Sequence, residues 1–144
     1  MLVGISPLLS PDLLAALCRM GHGDEIVLAD AHFPGHSHNE NVLRADGLKA
    51  VDLLDAILPL FPLDEYVDSP VFTMAPVPGD QAAPSVEAAF RAALDRHWPD
   101  APAIAQVERF AFYEQTRRAF CVVMTGETAK YGNIILKKGV TSVE

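Results

Sequence analysis

Residues 10–31, SPDLLAALCRMGHGDEIVLADA, decide the fold, because a helix signal is followed at once by a buried strand signal. Ser10 is a suitable N-cap, Pro11 fits the first helical position, and Gly21 is a typical C-terminal stop. The run that begins at Ile26 is short and almost entirely apolar, which predicts a strand covered on both faces. A helix that leads into such a strand indicates α/β layering.

The rest of the chain continues this alternation of helix and strand signals. Apolar residues at helical spacing predict helices, and short apolar runs predict strands. No repeat, low-complexity segment or long linker divides the chain, so we expect one domain over residues 1–144. The pattern predicts a three-layer α/β/α sandwich. The further helices are expected over 47–58, 84–96 and 110–118, and the further strands within 70–79, 104–107, 119–126 and 133–140.

The composition is typical of a globular protein from a reducing compartment. The chain has 144 residues, of which 50% are hydrophobic, and can therefore bury a core without disulfides. Cys18 and Cys121 both lie in apolar patterns, which indicates small buried side chains and a cytoplasmic location. The first residues lack the pattern of a signal peptide, and no run approaches the roughly 20 apolar residues that span a bilayer.

The charge distribution argues against nucleic-acid binding. The formal net charge is −8, and the 11 basic residues form no block longer than the pairs at 117–118 and 137–138. The same negative charge repels anionic metabolites at long range. These features favour a neutral small ligand or none.

Two titratable residues flank the decisive strand. His22 lies between two glycines, where a flexible backbone presents its side chain, and histidine is the natural proton shuttle near neutral pH. Alternatively, His22 only complements the dipole at the end of the preceding helix. Asp30 follows the strand at the sheet edge where α/β proteins bind ligands. A buried carboxylate without a partner is costly, so we expect Asp30 to be paired or used in binding. Alternatively, Asp30 only forms an Asx turn.

Candidate binding residues recur in the second half of the chain. Arg109 follows a predicted strand and is expected at the same sheet edge as Asp30, unless it only pairs with a nearby glutamate. Tyr131, Gly132 and Asn133 precede the last strand, where a phenol and an amide in one turn suit a polyol. A β-turn with a packed tyrosine would have the same sequence.

The remaining histidines leave a metal site open as an alternative. His32, His36 and His38 have a spacing that suits a metal, with Asp30 as a further ligand, but their segment contains Pro and Gly and is typical of a loop. Motifs for nucleotide, redox, acyl-transfer or zinc-protease chemistry are missing. We therefore expect a site without metal or cofactor.

Four blocks of the sequence resemble the RbsD/FucU family of sugar mutarotases, which includes fucose and ribose branches. They begin at residues 5, 44, 109 and 125, and the resemblance runs from end to end, although residues 79–102 match poorly. The blocks containing DEIVLADAHFP and RFAFYE are similar to the fucose branch. The four blocks are ISPLLSPDLLAALCRMGHGDEIVLADAHFPGHS, RADGL with LPLF, RFAFYE, and TGETAKYGNIILKKGV.

The resemblance implies a function and a set of site residues. It implies cofactor-free interconversion of the α and β anomers of a pyranose such as L-fucose, in a cytoplasmic homo-decamer with sites between subunits. By residue match, His22 is implied as the catalytic proton donor. Asp30, Arg109, Tyr131, Gly132 and Asn133 are implied as substrate-binding residues.

Other functions stay open at this point. One is a non-catalytic monosaccharide-binding or regulatory protein, another is D-ribose pyranase activity, and a third is a metal-dependent hydrolase or isomerase. A geometric question also stays open: eight residues separate His22 from Asp30, which corresponds to up to about 26 Å along a strand. Either the glycine-flanked loop folds His22 back, or neighbouring subunits complete one site.

Overall fold

The computed structural model describes residues 1–142, and in it a six-stranded mixed sheet lies between two layers of helices. This arrangement confirms the three-layer α/β/α prediction. A short 3₁₀ turn at Leu58–Leu60 follows the third helix. The elements are α1 (Pro11–Arg19), β1 (Glu25–Ala29), α2 (Gly35–His38), β2 (Val42–Ala45), α3 (Ala50–Ile57), β3 (Val71–Met74), α4 (Pro84–His97), β4 (Ala105–Val107), α5 (Arg109–Arg118), β5 (Cys121–Thr125) and β6 (Ile134–Lys137).

The direction of the strands determines which residues meet at each edge of the sheet. The strand order is β2-β5-β1-β6-β3-β4, and β6 runs antiparallel to both of its neighbours. The other pairs are parallel, so β1 to β5 all point the same way. The carboxyl ends of those strands therefore lie at the same edge as the start of β6, which is the usual ligand edge of an α/β sheet.

Both faces of β1 are buried, which explains its uninterrupted apolar sequence. Ile26 and Leu28 belong to a core shared with α1, α3 and α4. Val27 and Ala29 belong to a second core with Phe112 of α5, and all four of these strand residues have no exposed surface. Each face of the strand thus meets its own helical layer.

Two short elements were not predicted from the sequence. Helix α2 has four residues, GHSH, and no side-chain N-cap, so neither length nor capping marks it. Strand β2 lies at the edge of the sheet and its four residues are partly buried or exposed, so its apolar pattern is weak. The prediction that both cysteines are buried is wrong for Cys18, which lies on the outer face of α1; both cysteines are free thiols.

Within residues 1–142, no helix combines the length and apolar character needed to cross a bilayer.

Candidate functional site

A cavity of about 510 Å³ opens at the edge of the sheet where β1, β3 and β4 end and β6 begins. Its walls combine ionisable, amide and aromatic side chains with a few apolar ones. Four of the five predicted binding residues, Asp30, Arg109, Tyr131 and Asn133, therefore line one cavity. The fifth, Gly132, lies between Tyr131 and Asn133. The lining residues are Asp30, His32, Phe33, Pro34, Met74, Val77, Asp80, Arg109, Tyr113, Lys130, Tyr131 and Asn133.

Asp30 is held in the wall of the cavity by its own turn and by the start of β6. Its backbone N–H donates to Asn133 Oδ1 (2.8 Å), and its Oδ1 accepts from the His32 N–H (2.9 Å). The Asx turn that we considered as an alternative is thus present, in addition to the position at the cavity. Burial raises the pKa of Asp30, and the hydrogen bond from the His32 backbone partly opposes this.

The turn before β6 brings Tyr131, Gly132 and Asn133 against Asp30. Tyr131 has a φ of +59°, a left-handed conformation that is unusual for a residue with a bulky side chain. Gly132 allows a close approach: a Cβ there would lie 2.7 Å from Glu127 Cγ and 3.0 Å from the Ala129 carbonyl oxygen. The turn is therefore tightly determined by its surroundings.

Replacing Gly132 with alanine is expected to destabilise the protein by about 1–3 kcal/mol, because the added methyl group overpacks the turn. Thermal unfolding measures the change. Gly47→Ala is the matched control, since a Cβ at Gly47 meets no atom within 4 Å. Equal unfolding temperatures for the two variants would contradict the close packing around Gly132.

Arg109 is the first residue of α5 and reaches the cavity from the end of β4. Glu108 caps this helix, since its carboxylate accepts from the Ala111 N–H (3.0 Å). The Arg109 Nε donates to Tyr113 Oη (3.2 Å), and the guanidinium carbon lies 5.2 Å from the centre of the Phe110 ring. A hydrogen bond to Tyr113 and contacts with aromatic rings thus hold this side chain, and no carboxylate within residues 1–142 forms an ion pair with it.

His22 lies at the opposite edge of the sheet from Asp30. The Gly23 N–H donates to the carbonyl oxygen of Lys138 (2.8 Å), directly after β6, which holds the loop at the amino end of β1. The loop therefore does not fold back along the strand. Within one chain, His22 does not line the cavity that contains Asp30.

The partner of His22 within the chain is Asp64, which was not singled out in the sequence. His22 Nε2 lies 3.1 Å from Asp64 Oδ1, and the Asp64 side chain is 3% exposed whereas that of His22 is 46% exposed. Burial alone would raise the pKa of Asp64, but hydrogen bonds from the Tyr66 N–H and from His22 outweigh it and lower the pKa. The carboxylate is thus ionised and accepts the Nε2 proton, which leaves Nδ1 of His22 as the basic nitrogen.

The histidines at 32, 36 and 38 separate in the structure. His32 lines the cavity, while His36 Nε2 lies 3.4 Å from Arg44 Nη1. His38 stacks on Tyr113 with ring centres 4.6 Å apart. Across residues 1–142, no group of three or more His, Cys, Asp or Glu side chains is arranged to hold a metal ion.

The fold and the cavity define a small α/β protein whose ligand pocket suits a neutral molecule with several hydroxyl groups. The chain belongs to the RbsD / FucU transport protein family, whose sequence profile matches residues 3–141. It is 54% identical to a protein named L-fucose mutarotase from Actinobacillus pleuropneumoniae serotype 5b (strain L20), over 144 residues and the whole of both chains.

Solved structures show the same relationship. The fucose mutarotase of Streptococcus pneumoniae in complex with L-fucose is 47% identical, with a TM-score of 0.93 over 98% of this chain and 100% of that one. Bacillus subtilis RbsD complexed with D-ribose is 26% identical, with a TM-score of 0.72 over 99% of this chain and 100% of that one. The chain is thus more similar to the fucose mutarotase than to this ribose-bound relative.

Proposed function

We propose that this protein is an L-fucose mutarotase that interconverts the α and β anomers without a cofactor. The observation that carries the proposal is the cavity at the sheet edge, with Asp30, Arg109 and Tyr131 in its wall, in a chain similar from end to end to fucose mutarotases. The ribose-bound relative is less similar in sequence and in fold, which favours a pyranose of the fucose type over D-ribose.

The reaction needs only proton transfers. A base takes the proton of the C1 hydroxyl, the bond between C1 and the ring oxygen breaks, and an acid protonates the ring oxygen. The open-chain aldehyde then rotates about the bond from C1 to C2 and closes with C1 attacked on the other face. Each proton returns, so the sugar changes only its configuration at C1.

The pair of His22 and Asp64 supplies one of these proton transfers. Asp64 accepts the Nε2 proton, so Nδ1 takes a proton from the substrate in one direction, and the imidazolium that forms beside the carboxylate donates it back in the other, which makes His22 the acid/base. Asp64 thus orients the catalytic histidine.

The cavity residues hold the sugar while C1 turns. Asp30 accepts hydrogen bonds from sugar hydroxyls, and Arg109 presents its donor fork to the same ligand. Asn133 accepts the Asp30 backbone N–H at its Oδ1, and its side chain also hydrogen-bonds the Asp30 carboxyl, so Asn133 holds Asp30 in place for the sugar. Gly132 lets this turn approach Asp30.

The two sets of residues meet between subunits. His22 and Asp30 lie at opposite edges of one sheet, and exposed aromatic side chains accompany both: Tyr66 beside His22 (77% exposed) and Phe110 beside Arg109 (65% exposed). Packing the His22 edge of one subunit onto the cavity of the next is a head-to-tail contact, the type of contact from which closed rings of subunits are built. This supports the homo-decamer that the family resemblance implies.

The expected partner is a neutral monosaccharide in the cytoplasm, with no role for nucleic acid or membrane. The acidic surface and the free thiols of Cys18 and Cys121 support this assignment.

Saturation transfer between the α and β anomeric protons of L-fucose tests the proposal. We expect the protein to accelerate exchange well beyond buffer, equally with and without a chelator, and less strongly for D-ribose. Fucose binding without acceleration would instead establish a sugar-binding or regulatory protein. Loss of activity with the chelator would identify a metal-dependent enzyme.

A further inference from the structure

The phenol of Tyr131 is held by two groups from the loop between β3 and α4. Tyr131 Oη donates to Asp80 Oδ2 (2.8 Å) and accepts from the Val77 N–H (3.2 Å). Asp80 and Val77 both line the sugar cavity. This loop includes the start of the region in which the family resemblance is weak.

The side-chain contacts matter because the backbone of Tyr131 is in an unfavourable conformation. A left-handed φ persists in a residue other than glycine only where the surroundings determine it. The close packing of Gly132 against Glu127 determines one side of the turn. On the other side, the ring packs against the core cluster that contains Met74, and its hydroxyl is held by Asp80 and Val77.

Asp80 is itself held in a defined orientation. Its backbone N–H donates to the carbonyl oxygen of Val77 (3.0 Å), and its Oδ1 accepts from the Gln81 N–H (2.9 Å). Lys130 Nζ lies 3.5 Å from Oδ2. The hydrogen bond from the Tyr131 phenol is the main cause that lowers the pKa of Asp80, so the carboxylate is ionised and can only accept.

These bonds limit what Tyr131 offers to a sugar. The phenol proton is directed to Asp80, and one lone pair of its oxygen is directed to the Val77 N–H. The groups that remain are the second lone pair and the face of the ring. Tyr131 thus accepts a hydrogen bond from a sugar hydroxyl and does not donate one.

We propose that Asp80 is a positioning residue for sugar binding, which acts by holding the Tyr131 phenol and committing its proton. The inference rests on the proposed function, since it assigns a role in the same cavity. Through Tyr131, Asp80 contributes equally to binding the sugar in the ground state and in the transition state. Its loss therefore raises KM and leaves kcat nearly unchanged.

A double-mutant cycle tests this role. We expect Asp80→Ala and Tyr131→Phe each to raise KM for L-fucose about tenfold, the effect of one hydrogen bond to a charged group. The double variant should be no worse than the poorer single variant. Asp95→Ala is the matched control, because it removes the same charge from an exposed ion pair with Arg91 and should leave KM unchanged.

Amide hydrogen exchange of Val77 gives a readout independent of activity. We expect faster exchange at this amide in Asp80→Ala and Tyr131→Phe and unchanged exchange in Asp95→Ala. Unchanged Val77 exchange in Asp80→Ala, or an equal KM increase from Asp80→Ala in the Tyr131→Phe background, would overturn the role of Asp80. If the wild-type protein does not accelerate fucose exchange, the proposed function fails, and the Val77 amide still decides whether Asp80 holds Tyr131.

Discussion

Replacing His22 with alanine is expected to slow the anomeric exchange of L-fucose by about 10²- to 10⁴-fold, the contribution of a positioned general acid or base. Sugar affinity should change little, because the groups proposed to hold the sugar are Asp30, Arg109 and the Tyr131 turn in the cavity wall. Saturation-transfer rates and a fucose titration measure the two effects separately. Loss of affinity with unchanged turnover would contradict the catalytic role.

His97→Ala is the matched control for this substitution. His97 Nε2 lies 2.9 Å from Asp55 Oδ1, which makes it a second histidine–aspartate pair in the same chain. This pair is not part of the cavity that contains Asp30. The control variant should therefore keep its turnover, and an equal loss in both variants would indicate a general effect on folding.

Mixing inactive variants tests where the site is formed. If His22 and Asp30 of one site belong to different subunits, His22→Ala and Asp30→Asn chains refolded together should recover about one quarter of the wild-type sites, by random assembly in a ring. Each variant alone should remain slow. No recovery in mixed assemblies of normal size would place both residues of a site in one subunit.

Asp30→Asn is expected to lower kcat/KM by about 10- to 100-fold, because hydrogen bonds to a charged acceptor contribute about 1.5–3 kcal/mol. The same substitution should stabilise the fold near neutral pH. Burial raises the pKa of Asp30 in the folded protein, so ionisation of this carboxyl opposes folding. The neutral amide removes that penalty and still accepts from the His32 N–H.

The pH dependence of this stabilisation has a definite sign. Below the pKa of Asp30 in the unfolded chain, the carboxyl is neutral in both states and the charge makes no difference. As the pH rises through the higher folded pKa, the wild-type protein loses stability relative to Asp30→Asn. Thermal unfolding from acid to neutral pH should thus show a growing advantage for the variant, with the exposed Asp95→Asn as control. A constant difference across this range would contradict the assignment.

Local sequence determined most of the elements that carry the site. Ser10 and Pro11 begin α1, and its end leads into a strand whose unbroken apolar run requires cover on both faces. Because ligand edges of α/β sheets lie at carboxyl ends of strands, the position of Asp30 was predictable without the partner elements. Arg109 was predictable in the same way, since it follows β4.

The pairs that refine the site were not predictable, since each joins distant parts of the chain. Asp64 lies 42 residues from His22 in the sequence, and Asp80 lies 51 residues from Tyr131. Neither aspartate has a local pattern that distinguishes it from a surface residue. Each aspartate is identified only by its hydrogen bond in the folded structure, Asp64 with His22 and Asp80 with Tyr131.

The sequence by itself thus determined the layers, the buried strand and the residue types at its two ends, because periodicity and capping are local properties. Only the tertiary structure decided which other segments meet each end of this strand at the two opposite edges of the sheet. The antiparallel insertion of β6 between β1 and β3 brings the Tyr131 turn to Asp30 and leaves His22 beside Asp64 at the other edge. Strand order and direction depend on packing between segments far apart in the chain, which no local pattern records.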